Sequence, residues 1–133
     1  MKKSWALIII CGFTLILCSC KKDSGQPTII GKWNIVSDST YVGAGLSNVP
    51  FDYAGHPGDY YDFNSDGFVY INEAAVLDTS AYRLISSSQI VINSFENGIT
   101  SNIKTFTIHN LIIESPMLPT PGGIFWKKIT LSR

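Results

Sequence analysis

The chain has 133 residues, and its ten basic and ten acidic side chains give a formal net charge of zero. Because it has neither a net positive charge nor a long basic run, we expect no nucleic-acid partner. The length suits one N-terminal signal and one domain that can bury its own core.

The N-terminal segment is typical of a secretion signal. Two lysines at positions 2 and 3 precede an apolar run over residues 5–17, which is too short to span a bilayer as a stable helix. The sequence LCSC at residues 17–20 looks like a bacterial lipobox, which implies cleavage before Cys20 and acylation of this cysteine, including palmitate. We therefore expect residues 1–19 to be a lipoprotein signal peptide and the protein to be anchored in the outer membrane. An uncleaved N-terminal membrane anchor is the alternative.

Cleavage leaves eight basic and ten acidic residues and a single cysteine, the lipidated Cys20. The mature chain therefore has no cysteine for a disulfide or a metal site, and packing alone must stabilise it. Residues 20–28 are polar with Gly25 and Pro27, which predicts a flexible tether. Its random-coil reach is on the order of 15 Å.

Residues 29–36 open the folded domain as a strand with Trp33 and Ile35 on one face. Residues 37–58 are rich in glycine and proline, and we predict a long irregular loop. Its apolar side chains can act as a lid over a barrel mouth or can pin an idle loop to the barrel. The candidate lid residues are Leu46, Val49, Phe51 and Tyr53.

The stretch from Asp59 to Glu73 allows two interpretations, a calcium-binding loop and a β-hairpin. Asp62, Asn64, Asp66 and Glu73 match the spacing of an EF-hand calcium loop. However, the preceding AGHPGDYY cannot supply the entering helix. The favoured reading is a β-hairpin that turns at residues 64–67. This register places four apolar residues on one face: Tyr61, Phe63, Val69 and Ile71.

Five more strands are predicted after this hairpin: Ser80–Ile85, Gln89–Phe95, Lys104–Ile108, Leu111–Ser115 and Ile124–Arg133. Alternation predicts that the following side chains point inward: Tyr82, Leu84, Ile90, Ile92, Phe106, Ile108, Leu111, Ile113, Phe125, Ile129 and Leu131. Together with the opening strand and the central hairpin this makes eight strands. The predicted fold is an all-β, eight-stranded, antiparallel up-and-down barrel over residues 29–133, closed by pairing of its last strand with its first.

Several motifs in this order resemble the lipocalin-like lipoproteins of Bacteroidetes-type bacteria. They are the lipobox, the GKW at residues 31–33 that matches the G-x-W of lipocalin-type first strands, the DYYDFNSDG hairpin and the ending ITLSR. The resemblance covers essentially the whole mature chain. It implies a lipocalin-like barrel, and it implies that Arg133 packs over Trp33 in a cation–π contact or else is solvated at the terminus.

No constellation of residues in the sequence suits catalysis, so we predict a non-enzyme without a cofactor. His56 and His109 lie beside turn formers, and neither has an acid or cysteine nearby in the sequence. The leading hypothesis is a monomeric binding protein for a small apolar ligand. Its candidate interior residues are Trp33, Tyr61, Phe63, Tyr82, Phe106 and Phe125.

Two alternatives to this binding role remain. One is an accessory lipoprotein that contacts another envelope protein through outward aromatic residues, namely Tyr60, Tyr70 and Trp126. The other is the calcium module.

Overall fold

The computed structural model describes residues 25–43 and 51–133. The predicted signal peptide, Cys20, residues 20–24 of the predicted tether, and the lid candidates Leu46 and Val49 lie outside these residues. The regular structure consists of ten strands: Gly31–Gly43 (β1), Phe51–Ala54 (β2), Tyr60–Phe63 (β3), Phe68–Glu73 (β4), Val76–Ser86 (β5), Gln89–Ile92 (β6), Thr100–Phe106 (β7), Asn110–Glu114 (β8), Leu118–Thr120 (β9) and Gly123–Ser132 (β10). The described part of the chain has no helix long and apolar enough to cross a bilayer.

Eight of these strands form a closed barrel. β1, β3, β4, β5, β6, β7, β8 and β10 follow one another around the sheet, and each pair of neighbours is antiparallel. β10 also pairs with β1, from Asn34 opposite Ser132 to Gly43 opposite Ile124. The predicted eight-stranded antiparallel up-and-down barrel is therefore confirmed, including its closure.

The two remaining strands extend the barrel at one end. β1 pairs first with β3 and then, over Ser37–Thr40, with β2, so β2 and β3 are one strand interrupted by residues 55–59. Gly55 begins this interruption, because a Cβ there would lie 1.9 Å from the Ile35 carbonyl oxygen. β8 and β9 pair in turn with β10 in the same way. Strands β2, β1, β10 and β9 thus continue past the barrel rim as a sheet that we call the upper extension.

The upper extension corrects the prediction of an irregular segment at residues 37–43 and 51–54, whereas residues 55–58 lie outside any strand as predicted and residues 44–50 lie outside the described residues. β1 continues to Gly43, and Phe51 and Tyr53 belong to β2. In this part of β1 the inward positions are polar, and Asp38 binds Lys127 of β10, 89 residues away in the sequence. A contact between residues so far apart in the sequence stabilises the strand despite its weak local propensity. Because the inward residues are polar, the sequence shows no alternating hydrophobic pattern that would predict this strand.

The centre of the barrel is a packed core. Eight strands enclose a space that side chains can fill, and here ten large side chains are at most 2% exposed: Trp33, Tyr61, Phe63, Val69, Ile90, Ile92, Leu111, Ile113, Ile129 and Leu131. Phe95, on the loop between β6 and β7, is also fully buried. The strands are therefore held together mainly by burial of apolar surface.

The central hairpin has the predicted register. Phe63 lies opposite Val69 and Tyr61 opposite Ile71, and all four are buried. The turn between the strands is closed by Gly67, whose φ of 86° is in the left-handed region that favours glycine. The Gly67 amide donates to the Asn64 carbonyl at 3.2 Å. The prediction of a hairpin in this stretch is confirmed.

The seventh strand of the chain differs most from its prediction. β7 spans Thr100–Phe106 rather than Lys104–Ile108, and a bulge between Ile103 and Thr105 shifts the alternation by one residue. Ser101 and Ile103 therefore point inward ahead of the bulge and Phe106 after it. Ile108 lies in the following turn and is exposed, so its predicted inward position is wrong. The inward prediction is also wrong for Leu84, which is 41% exposed near the end of β5.

The barrel end opposite the upper extension is closed by the two ends of the domain. Ile29 is buried in the core, and its carbonyl accepts a hydrogen bond of 2.8 Å from the Trp33 indole. The Arg133 guanidinium lies 3.6 Å from the centre of the Trp33 ring and donates to the carbonyls of Thr28 and Ile30. The cation–π contact implied by the lipocalin resemblance is thus present, and we call this end the closed end.

Candidate functional site at the barrel mouth

A pocket of about 380 Å³ opens at the other end, beneath the upper extension. We call it the mouth pocket. Its walls are formed by β2, the β4–β5 hairpin, the start of the β6–β7 loop and β10. Its lining residues are Phe51, Tyr53, Tyr61, Ile71, Glu73, Ala74, Val76, Asp78, Ser94 and Lys127.

A buried ion pair forms the base of the upper extension beside this pocket. The Lys127 ammonium lies 2.5 Å from an Asp38 carboxylate oxygen, and only 2% of the Asp38 side chain is exposed. The Thr40 hydroxyl donates to the other Asp38 oxygen at 3.0 Å and accepts from Lys127 at 3.2 Å. The charge of Lys127 is therefore largely compensated by Asp38, which leaves little of it to offset other charges in the pocket.

Glu73 ends β4 at the pocket wall and is electrostatically strained. Burial, and then the negative charge of Asp38, raise the pKa of Glu73 to about 6, while Lys127 offsets this only in part. Asp78, on the neighbouring strand, is exposed and also lines the pocket. With Asp38 and Lys127 paired, Glu73 and Asp78 leave the mouth pocket with an excess of negative charge.

The Tyr61 phenol is the buried polar group directed at this pocket. Its side chain is 2% exposed and lines the pocket, and within residues 25–43 and 51–133 its hydroxyl has no hydrogen-bond partner. Burial raises the pKa of Tyr61 well above its usual value, and the charges of Asp38, Glu73 and Asp78 add to this effect. The phenol therefore stays neutral and can donate a hydrogen bond to, or accept one from, a molecule in the pocket.

A second polar cluster fixes the wall next to the pocket. Asp59 is 5% exposed, and one of its carboxylate oxygens accepts hydrogen bonds from the Tyr53 hydroxyl at 2.5 Å and the His56 amide at 2.7 Å. These bonds lower the pKa of Asp59, and the bond to Asp59 raises the pKa of Tyr53. The Tyr53 hydroxyl also accepts from the Ala74 amide at 3.2 Å, which ties β2 to the β4–β5 turn.

The β4–β5 turn at the pocket wall has an unfavourable backbone. Ala74 and Ala75 have φ angles of 50° and 63°, in the left-handed region that costs an alanine roughly 1–2 kcal/mol. A two-residue hairpin of this kind is normally formed by Asn-Gly or Asp-Gly. Backbone strain of this sort concentrates at ligand sites, which agrees with the position of the mouth pocket.

The six candidate interior residues do not line one cavity. Trp33 and Phe63 are sealed in the core, and Phe125 is buried on β10. Tyr82 and Phe106 lie at the closed end, where they line a shallower hollow of about 490 Å³ together with Leu84. Among the six, Tyr61 alone lines the mouth pocket.

The closed-end hollow is the larger of the two cavities but the weaker candidate site. Its tyrosine is already satisfied, because the Tyr82 hydroxyl donates to the Asn64 carbonyl at 2.8 Å. The Tyr82 ring packs edge-on against Phe63 at 5.0 Å. We therefore choose the mouth pocket, where a tyrosine hydroxyl, two carboxyl groups and apolar walls coincide.

The two described lid candidates lie at the mouth as strand residues. Phe51 is 68% exposed and Tyr53 is half-buried, and both line the mouth pocket from β2. They are held by pairing with Thr40 and Asp38 of β1. Phe51 and Tyr53 thus border the mouth from a paired strand and not from a loop, and their role as a lid stays a prediction.

The residues of the calcium motif do not converge on one point. The Asp66 carboxylate accepts from the Phe68 amide at 2.9 Å and from the Tyr70 hydroxyl at 3.2 Å, so it serves the hairpin turn. Glu73 ends β4, roughly 20 Å from Gly67 at the rise of an extended strand. Calcium ligands lie 2.3–2.6 Å from a common ion. Asp62, Asn64 and Asp66 therefore cannot share an ion with Glu73 in this hairpin.

The predicted outward aromatic residues lie in two separate places. Tyr60 and Tyr70 are on the β3–β4 hairpin, where the Lys32 ammonium lies 3.8 Å from the centre of the Tyr60 ring. Trp126 is on β10 and donates to Glu114 at 3.2 Å, and it borders an apolar groove with Tyr41 and Met117. These aromatic residues therefore do not form one continuous patch.

The sequence alone does not indicate Asp38, Asp78 or Lys127 as site residues. A signal was present for Asp38, because Asp38 and Thr40 alternate with the pattern of a strand, but without an apolar face this pattern reads as a loop. Lys127 stands beside Lys128 and resembles a solvated pair. The ion pair becomes visible only when β1 and β10 close the barrel.

We compared the chain with protein-family models, with curated proteins and with solved structures, and none of the three comparisons finds a match. The site is therefore interpreted from its own geometry and electrostatics.

Proposed function

We propose that this protein is a lipid-anchored envelope protein with a lipocalin-like barrel whose mouth pocket binds a small amphipathic molecule that carries a positive charge. The observation that carries the proposal is the Tyr61 hydroxyl, which opens without a described partner into a pocket that also holds Glu73 and Asp78. An ammonium group bound there can donate hydrogen bonds to the Tyr61 hydroxyl and to the carboxylates of Glu73 and Asp78.

Because the barrel interior is packed, the proposed ligand site lies at the rim of the barrel and not at its centre. Trp33 and Phe63 fill the middle of the barrel, so a molecule deep inside would have to displace core side chains. The mouth pocket instead offers Phe51, Ile71 and Val76 to an apolar body. Its volume of about 380 Å³ is at the small end of the range for ligand pockets.

The electrostatics favour a cation over an anion of the same size. Lys127, the cation in the pocket lining, is already paired with Asp38 and offsets the charge of Glu73 only in part. The raised pKa of Glu73 reflects a carboxylate that is poorly stabilised when empty. A bound ammonium group would lower this pKa, so binding near pH 6 is expected to release protons.

The membrane anchorage rests on the sequence. The LCSC lipobox at residues 17–20 supports acylation of Cys20, and the short tether supports a position close to the outer membrane. The proposed role is thus that of a monomeric, tethered binder. The alternative of an accessory lipoprotein that contacts an envelope protein remains a prediction.

A matched pair of probes tests the ligand class. Octylammonium and octanoate share an apolar chain and differ in the sign of their charge. We expect octylammonium to raise the melting temperature of the purified protein and to bind in calorimetry with proton release near pH 6, and we expect octanoate to do neither. Replacing Glu73 by Gln should weaken octylammonium binding by about tenfold, equivalent to about 1.4 kcal/mol.

The matched control is Glu96→Gln, since Glu96 lies on the β6–β7 loop at the same end of the barrel but outside the pocket lining. It should leave the affinity for octylammonium unchanged. Equal binding of octanoate, or equal weakening by the two variants, would refute recognition of a cation by this pocket.

A further inference from the structure

The two ends of the barrel differ in how they relate to the N-terminal segment. The described chain enters at the closed end, where Ile29 is buried and Thr28 is fixed by its hydrogen bond from Arg133. The mouth pocket lies at the opposite end, beyond the barrel rim. Whatever holds the N-terminus in a membrane therefore attaches on the side away from the pocket.

The length of the tether limits the orientations that an anchored barrel can adopt. Only eight residue steps separate Cys20 from Thr28, a span of at most about 28 Å when fully extended and about 15 Å as a random coil. Ten residues of β10, at the usual strand tilt, give a barrel height of roughly 25 Å. Turning the mouth toward the membrane would need a nearly straight tether along the barrel wall, at a large cost in chain entropy.

The distribution of charged residues between the two ends also favours placing the closed end at the membrane. The mouth end carries seven carboxyl groups and two lysines, Lys127 and Lys128; the acidic residues are Asp38, Asp52, Asp59, Glu73, Asp78, Glu96 and Glu114. The closed end carries Lys32, Arg83 and Arg133 against Asp62 and Asp66. Anionic phospholipid headgroups attract the basic end and repel the acidic one.

Exposed apolar side chains occur at both ends, so they do not by themselves indicate which end contacts the membrane. At the closed end five such side chains are 37–44% exposed: Ile30, Phe68, Leu84, Ile85 and Ile108. At the mouth Phe51 and Val76 are more exposed still, but they stand among the carboxyl groups. A surface that combines partly exposed apolar residues with basic ones suits the interface between headgroups and acyl chains.

We propose that the closed end of the barrel is a membrane-contacting surface that rests on the anionic phospholipids of the bilayer holding the N-terminal anchor, so that the mouth pocket faces away from the membrane. The inference depends on the membrane anchorage proposed above but not on the ligand class. It means that the pocket exchanges its ligand with the aqueous phase and not with the bilayer below the barrel.

Two exposed phenylalanines in strands at opposite ends provide a matched test. Phe68 starts β4 at the closed end and Phe51 starts β2 at the mouth. The full chain, expressed with its own signal, is prepared as Phe68→Cys or Phe51→Cys, labelled with an environment-sensitive fluorophore, and reconstituted in vesicles of phosphatidylethanolamine and phosphatidylglycerol. Lipids with a nitroxide on the headgroup then quench labels near the bilayer surface, and flotation on a density gradient reports anchorage.

We expect both proteins to float with the vesicles and the label at position 68 to be quenched several-fold more than the label at position 51. Ile85→Cys and Val76→Cys form a second pair, for use if either phenylalanine variant fails to fold. Flotation with equal quenching at the two ends, or with stronger quenching at the mouth, would overturn the orientation and leave the anchorage intact. Failure to float would overturn the anchorage itself and the orientation with it.

Discussion

The two ends of the barrel are stabilised in opposite ways. At the closed end a buried indole, a stacked guanidinium and three accepting carbonyls satisfy one another. At the mouth a carboxylate with little exposed surface is paired with Lys127, a second carboxyl group has its pKa raised to about 6, and a phenol has no described partner. The closed end is therefore suited to stability and the mouth to recognition.

The backbone shows the same contrast. The turn at the closed end between β3 and β4 uses Gly67, for which a positive φ carries no steric penalty. The turn at the mouth between β4 and β5 places Ala74 and Ala75 in that region instead. A chain selected only for stability would carry Asn-Gly there, so the strained turn fits a mouth whose shape serves binding.

The largest loss of stability is expected from replacing the tryptophan of the closed end. Trp33→Ala should lower the free energy of unfolding by about 3–5 kcal/mol, because it deletes a fully buried indole and the stacking surface of Arg133. Denaturant unfolding followed by circular dichroism measures this loss. The control is Trp126→Ala toward the mouth end, where the indole is only partly buried and bonded to Glu114. We expect a cost of about 1 kcal/mol there, and equal losses would contradict the contrast.

Much of this fold can be predicted from the sequence because its signals are local. The central hairpin is specified by a turn sequence with glycine at the left-handed position and by apolar residues that alternate on both sides, such as Phe63 and Val69. The packing of Arg133 on Trp33 was implied by the lipocalin resemblance and is present. Features of this kind need only the pleat of a strand and the stereochemistry of a turn.

The rest could not be predicted because it depends on pairing between distant parts of the chain. β7 pairs with β8 across a bulge, and Ser101 points inward ahead of it, against hydrophobic patterning. Asp38 becomes a core residue only because β10 brings Lys127 to it. The mouth pocket consists largely of such residues, so the sequence indicates the barrel better than it indicates the site.

The ion pair gives the second prediction, at the mouth itself. Lys127→Met should cost about 3 kcal/mol, since it leaves the Asp38 carboxylate buried without its partner. The double variant Asp38→Asn with Lys127→Met should recover most of this loss, because a buried pair contributes little once both charges are removed. Chemical unfolding of the single and double variants gives the coupling free energy. An unchanged stability of Lys127→Met would mean that water compensates Asp38 and that the pair is not desolvated.

The smallest change in stability is expected for Glu73, and it is the most informative about the electrostatics of the mouth pocket. Its pKa is raised from 4.5 to about 6 in the folded protein, so between these values the folded state binds more protons than the unfolded one and stability falls as the pH rises. The full difference corresponds to roughly 2 kcal/mol, which solvent screening of this partly exposed carboxyl group reduces to about 1 kcal/mol. Glu73→Gln should therefore stabilise the protein by about 1 kcal/mol at pH 7 and flatten the loss of stability between pH 4.5 and 6. Glu96→Gln should change neither, and melting curves across this pH range separate the two variants. A Glu73→Gln protein that is less stable at pH 7 would show that the carboxylate is well solvated in the empty pocket, and the electrostatic case for a cationic ligand would fail with it.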